Sequence, residues 1–137
     1  MPQQIGQSGV FWTFPSGHGR KNSGMRMPGA DRAVIDAEKV RDYLLSHEHP
    51  IGRFKTPVFE ALGFSEADWP SLQLALHALA DTSTATLIET SRFGQKYHLI
   101  GTLQGQSGRQ AVIVTIWICR AGEDFPRFVT AYPGGRP

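Results

Sequence analysis

The feature that most constrains the fold is a change of hydrophobic period at Thr84. Before it, apolar residues recur at helical spacing; after it, they alternate. Residues 84–93, 96–103, 109–120 and 127–132 read as four strands, separated by the turn sequences Phe93-Gly94-Gln95, Gln104-Gly105-Gln106-Ser107-Gly108 and Ala121-Gly122-Glu123-Asp124. Connections this short cannot hold parallel crossovers, so the strands form an antiparallel meander. Helices first and strands after predict an α+β fold, with two to three N-terminal helices packed on a four-stranded sheet.

Regular structure is expected to begin near Arg32. Asp36 can cap a helix reaching about Ser46, with Ala37, Val40, Tyr43 and Leu44 as its apolar stripe and Glu38, Lys39, Arg41 and Asp42 turned away. Pro50 and Gly52 end that element. Thr56-Pro57 reads as a cap followed by proline at the first helical position, and Gly63 stops the short helix that follows. Ser65 opens a third helix with Asp68 three residues on. Pro70 either bends this helix or makes it restart from Asp68. Leu72, Ala75, Leu76 and Leu79 give it an inward face.

Residues 1–30 form a Gly/Pro/Ser-rich arm carrying Arg20, Lys21 and Arg26 and no acid; 31–137 form a single α+β domain. Val10, Phe11, Trp12 and Phe14 set the arm apart from a purely solvating tail, so it is expected to lie on the body or on a partner. In the third strand, Val112, Val114, Ile116 and Ile118 are expected under the helices. Ala111, Ile113, Thr115, Trp117 and Cys119 are then expected on the open face, joined by Lys96, His98, Ile100 and Thr102. If Thr130 and Tyr132 share that face, it becomes a polar, aromatic-lined surface suited to stacking nucleobases. Otherwise Trp117 and Tyr132 cover a second small core with the arm.

The 137-residue chain carries a net charge of +2, and beyond residue 30 eleven basic side chains meet twelve acidic ones. The body is therefore not a strongly basic nucleic-acid binder, and any phosphate recognition is local. Cys119 is the one cysteine, which excludes an internal disulfide, and its apolar strand setting reads as an inert thiol. No run approaches the ~20 apolar residues of a membrane span, and no secretory core is evident. Gly-rich phosphate loops are missing, so no nucleotide cofactor is expected. His47 and His49 lack further ligands at metal-site spacing, so no metal is expected either.

The connector His47-Glu48-His49-Pro50-Ile51-Gly52-Arg53-Phe54-Lys55 concentrates two imidazoles and two cations between helices. These groups fit metal-free RNA cleavage. That reaction needs a base for the 2′-hydroxyl, an acid for the leaving 5′-oxygen, and donors or cations on the phosphate. His49 is the first candidate for base or acid, since histidine titrates near neutrality and Pro50 restricts the chain beside it. Lys55 and Arg53 are candidates for phosphate binding; Thr130, Thr115 and Tyr132 for positioning. Each has a structural alternative: His49 as a helix cap, Lys55 as a stem over apolar surface, Thr130 as an ordinary strand residue.

Several blocks in order carry a resemblance. Ala33-Val34-Ile35-Asp36 precedes Tyr43-Leu44-Leu45 and His49-Pro50-Ile51-Gly52-Arg53-Phe54-Lys55, then Phe59-Glu60-Ala61-Leu62-Gly63-Phe64. Gly94-Gln95-Lys96-Tyr97, Gly105-Gln106-Ser107-Gly108-Arg109, Val114-Thr115-Ile116-Trp117-Ile118 and Pro126-Arg127-Phe128-Val129-Thr130-Ala131-Tyr132-Pro133 follow. The set, over about residues 31–133, resembles a bacterial domain-of-unknown-function family that occurs as small single-domain proteins and as C-terminal tails of polymorphic toxins. Its layout is more distantly similar to the barnase–EndoU–colicin–RelE group of toxin ribonucleases. The resemblance implies a metal-independent ribonuclease acting on cellular RNA in the cytoplasm, delivered from another cell as part of a larger toxin and restrained by a cognate immunity or antitoxin protein. His49, Lys55 and Thr130 are then the expected catalytic residues. Arg53, Thr115, Trp117, Tyr132 and His98 are expected to bind substrate. The competing expectation is a non-catalytic protein-binding module, such as a toxin-neutralising or phage-associated partner protein.

Overall fold

The computed structural model describes residues 25–134. Five antiparallel strands form one curled sheet in sequential order: β1 (Met25–Arg26), β2 (Thr84–Ser91), β3 (Gly94–Gln104), β4 (Gln110–Arg120) and β5 (Arg127–Pro133). The expected meander is β2–β5. The fifth strand, β1, is a correction: Met25 and Arg26 pair with Ala85 and Thr84. A two-residue strand has no readable alternation, so periodicity missed it. The body therefore starts before residue 31, since Met27 and Ala30 are also buried in the core. The aromatics Phe11, Trp12 and Phe14 lie outside the described residues.

Among the described residues, three α-helices precede β2. The first, α1 (Ala37–Lys39), continues as a π-helical turn over Val40–Leu44; α2 spans Thr56–Ala61 and α3 spans Trp69–Thr82. Pro70 falls in the first turn of α3, where its missing N–H costs nothing, and a 3₁₀ turn over Glu66–Asp68 leads in. The helix restarts from Asp68 rather than bending. Leu72, Leu76, Leu79 and Ala80 are its buried side. Gly101 of β3 lets α3 approach, because a Cβ there would sit 2.3 Å from Ser83 Oγ. No helix among the described residues is long and apolar enough to cross a membrane.

On β4 the faces are the reverse of the expected ones, while Lys96, His98, Ile100 and Thr102 of β3 lie opposite the buried Tyr97, Leu99 and Leu103, on the open face as expected. Ile113, Thr115 and Trp117 are fully buried under the helices with Tyr97, Leu99 and Leu103, while Val112 is 45% and Ile100 53% exposed. Hydrophobicity alone favoured the Val112–Ile118 set. Area and polar satisfaction decide otherwise. Trp117 offers the largest apolar surface, and its Nε1–H donates to Thr115 Oγ1 at 2.7 Å from the same face. Phe128 packs edge-on against the indole, with centroids 5.3 Å apart.

The outer edge of β5 carries the segment before α1. Val34 N–H donates to the Pro126 carbonyl at 2.9 Å, and Phe128 N–H returns to the Val34 carbonyl at 2.9 Å. Gln73 of α3 holds the Ile35 carbonyl at 2.8 Å. These bonds fix the start of α1 beside β5.

Candidate functional site

The connector after α1 is built around His49. Its Nδ1 accepts from the backbone N–H groups of Ile51 (3.1 Å) and Gly52 (3.0 Å). A ring nitrogen accepting two N–H donors carries no proton, so the neutral imidazole bears its hydrogen on Nε2. His49 therefore holds its own connector rather than capping the preceding helix. Gly52 is required for space: a Cβ there would lie 1.8 Å from the Tyr43 carbonyl oxygen. The preceding turn is of π type, with Leu45 N–H bonded to the Val40 carbonyl at 3.0 Å. Such widened turns recur at functional sites.

Thr56 does not cap α2 as expected. It is fully buried, and its hydroxyl faces the carbonyls of Leu44 (3.0 Å), Ser46 (3.0 Å) and Gly52 (3.2 Å). One proton is shared among three carbonyls at the end of the π-type turn and in the connector, of which that of Gly52 also accepts from Lys55 N–H at 2.7 Å. His47 Nε2 meets Glu60 Oε2 at 2.7 Å and ties the connector to α2. Thr56→Val should cost about 2 kcal/mol, since buried acceptors lose their donor. Thermal melts test this, with Thr56→Ser expected to recover most of the loss.

Thus braced, the connector meets the edge of the sheet. The rings of Tyr43 and His49 pack edge-on, 4.9 Å between centroids. The Tyr43 hydroxyl shares a hydrogen bond of 2.9 Å with Thr130 Oγ1, linking residues 87 positions apart. Lys55 Nζ stands 5.6 Å from the Tyr132 ring centroid, in cation–π range. Tyr43, His49 and Thr130 line an open hollow of about 650 Å³ with Asp36, Glu38, Lys39, Asp42 and Val129. That volume suits a nucleotide-sized ligand.

The lining is more acidic than expected of a phosphate site. Asp42 is clamped by Arg41 through two bonds of 2.8 Å, which hold its carboxyl below the usual range and raise the guanidinium. Asp36 occupies the N-cap position of α1, yet its side chain makes no capping bond. The hollow thus sets uncommitted carboxylates beside an imidazole N–H, two hydroxyls and the Lys39 ammonium. Such a set can move a proton and hold an oxygen acceptor; it is not a simple anion trap. Among the described residues, no group of three or more His, Cys, Asp or Glu is placed to hold a metal ion.

The structure brings His49 and Thr130 into one hollow and puts Lys55 on Tyr132 beside it. Arg53 is exposed and rests on its neighbour Phe54, 4.8 Å from the ring. His98 lies in a cross-strand row with Thr86, Ile116 and Thr130, so it shares a face with Thr130 rather than with Thr115 and Trp117. Its Nδ1 is buried without a partner among the described residues. Thr115 and Trp117 are corrections: with no exposed surface, neither can touch a substrate. Tyr43, Asp36, Glu38 and Lys39 were missed as site residues. Tyr43 stood in an apolar stripe and Asp36 read as a cap. The one available signal was a hydroxyl-bearing ring in an otherwise aliphatic stripe.

A family model described as domain of unknown function DUF6883 matches residues 26–135. The chain belongs to this family. Every residue of the hollow lies inside the DUF6883 match. No curated protein matches the chain. Among solved structures, a chain of the contact-dependent growth inhibition toxin–immunity protein complex from Klebsiella pneumoniae 342 is similar, with a TM-score of 0.60 and 18% identity. The likeness covers 73% of this chain and 98% of that one. At that identity it establishes a shared fold for this DUF6883 domain.

Proposed function

We propose that this DUF6883 domain is the effector of a bacterial toxin system: a metal-independent ribonuclease that cuts cellular RNA in the cytoplasm and is restrained by a cognate immunity protein. The observation that carries the reading is the convergence of His49, Tyr43 and Thr130 on one hollow flanked by Lys55 and Tyr132. The fold shared with a chain of a toxin–immunity complex supports the toxin setting. In the reaction the 2′-oxygen attacks phosphorus and the bond to the 5′-oxygen breaks. His49 Nε2–H and the one outward proton of the hydroxyl pair donate to the phosphoryl oxygens as charge builds on them. Lys55 supplies a point charge beside Tyr132, on which a base can stack.

Purified protein incubated with total RNA should produce discrete fragments, unchanged by chelator. His49→Ala and Lys55→Ala should each slow cleavage by roughly 100-fold. Both variants should also relieve growth inhibition in a bacterium lacking the immunity protein. Intact tRNA, rRNA and mRNA after prolonged incubation would count against the reading.

The second reading is a non-catalytic module of a toxin–immunity pair. The exposed aliphatics Ile100 and Val112, with Tyr132, favour it as a protein-binding face. It requires partner binding that survives His49→Ala and fails when Ile100 and Val112 are both replaced by aspartate.

A further inference from the structure

We infer that Asp36 is the proton-transfer residue of the hollow, with His49 acting as a fixed neutral donor; the inference rests on the RNA-cleaving reading above. The backbone of Ile51 and Gly52 occupies His49 Nδ1. The ring hydrogen is then on Nε2, which can donate but cannot accept a proton from a 2′-hydroxyl. A doubly protonated ring would set an Nδ1–H against two backbone N–H groups. The base must come from elsewhere in the hollow, and three carboxylates line it: Asp36, Glu38 and Asp42.

Asp42 is engaged by Arg41 through both oxygens. Glu38 is exposed on the helix, and its longer side chain carries the carboxylate one bond further from the backbone. Asp36 is exposed like Glu38 and free of Arg41, but its side chain is shorter and the chain leading into it is held. Its backbone is extended, at φ −66 and ψ 140, the geometry of a capping residue, but its carboxylate caps nothing. Its neighbours are immobilised: Val34 is bridged to β5, Ile35 is buried, and the Ile35 carbonyl is held by Gln73. The short aspartate is thus anchored through its backbone at the wall of the hollow that the Tyr43–Thr130 hydroxyl pair also lines. Such anchoring is what a base needs, since small misplacements cost large factors in rate.

The step balances. The Asp36 carboxylate takes the 2′-hydroxyl proton as the 2′-oxygen bonds to phosphorus. The bond from phosphorus to the 5′-oxygen breaks, and Asp36 returns its proton to that oxygen, through solvent in the open hollow. The products are a 2′,3′-cyclic phosphate and a 5′-hydroxyl end, with the carboxylate restored. The charged and titratable groups facing Asp36 are Glu38, Lys39, Asp42 and Tyr43 from the helix, His49 from the connector and Arg127 from β5.

Two measurements on the full chain test this. Nitrogen-15 NMR of the His49 ring should report the Nε2–H form at neutral pH, whatever the protein does to RNA. Asp36→Asn should lower kcat for RNA cleavage about 100-fold with KM and Tm little changed. Asp36→Glu should recover part of the rate. A ring protonated on Nδ1 overturns the inference, as does a loss seen in Glu38→Gln but not in Asp36→Asn. If wild type cuts RNA and Asp36→Asn cuts it equally fast, only this assignment falls. If wild type leaves RNA intact, the reading beneath it falls too.

Discussion

Replacing Gly52 with alanine should destabilise the domain by about 3 kcal/mol and disable the site together. The added Cβ would lie 1.8 Å from the Tyr43 carbonyl oxygen and 2.6 Å from its carbon. Both are backbone atoms, so no side-chain rotation relieves the clash. Either the connector lifts away, breaking the bonds to His49 Nδ1 and Thr56, or the end of α1 is pushed off the core. For a domain whose whole stability is roughly 5–15 kcal/mol, the loss is large. It should appear as a fall in Tm of about 10 °C. His49 would leave its place against Tyr43 at the same time. Gly108→Ala is the control. Gly108 has a positive φ of 85 and nothing within 4 Å of an added Cβ. Its substitution reports backbone strain without a clash and should cost about 1 kcal/mol. Equal Tm values for wild type and Gly52→Ala would mean that the connector does not run against α1 as described.

Trp117→Ala should cost about 4 kcal/mol, the range for removing a large aromatic from a packed core. The indole is fully buried, packs on Phe128 and gives its N–H to Thr115. Chemical denaturation should show a much lower midpoint, read at constant slope. Had Trp117 faced outward, the same substitution would cost within about 1 kcal/mol and act on binding alone. Ile100→Ala, at a residue 53% exposed on the opposite face, supplies that comparison and should fall within about 1 kcal/mol. A near-native midpoint for Trp117→Ala would return the indole to the open face.

Much of the fold was legible from local patterns. The switch to alternation at Thr84 and the Gly-containing turns located four strands to within a few residues, because strand period and tight-turn chemistry are short-range properties. Pro70 left a bend or a restart from Asp68 open, and the restart is what forms. β1 escaped because two residues cannot show a period. The connector stood out as chemically dense, and His49, Lys55, Thr130 and Tyr132 do gather at one edge of the sheet. What each does there was not legible. The tautomer of His49 depends on two backbone N–H groups aimed by the curve of the connector. Tyr43 and Thr130 meet across 87 positions of chain, where the segment before α1 is clipped to β5 through Val34.

By itself the sequence determined the order of elements, the antiparallel connectivity and the position of the histidine-bearing connector, all consequences of residue type and spacing over a few positions. The tertiary structure alone decided which side of the sheet is core, which hydroxyl meets which ring, and which carboxylate is left free. Those outcomes come from competition among surfaces far apart in the chain. The Trp117 indole outweighed a row of branched aliphatics because it buries more area and brings its own hydrogen-bond partner.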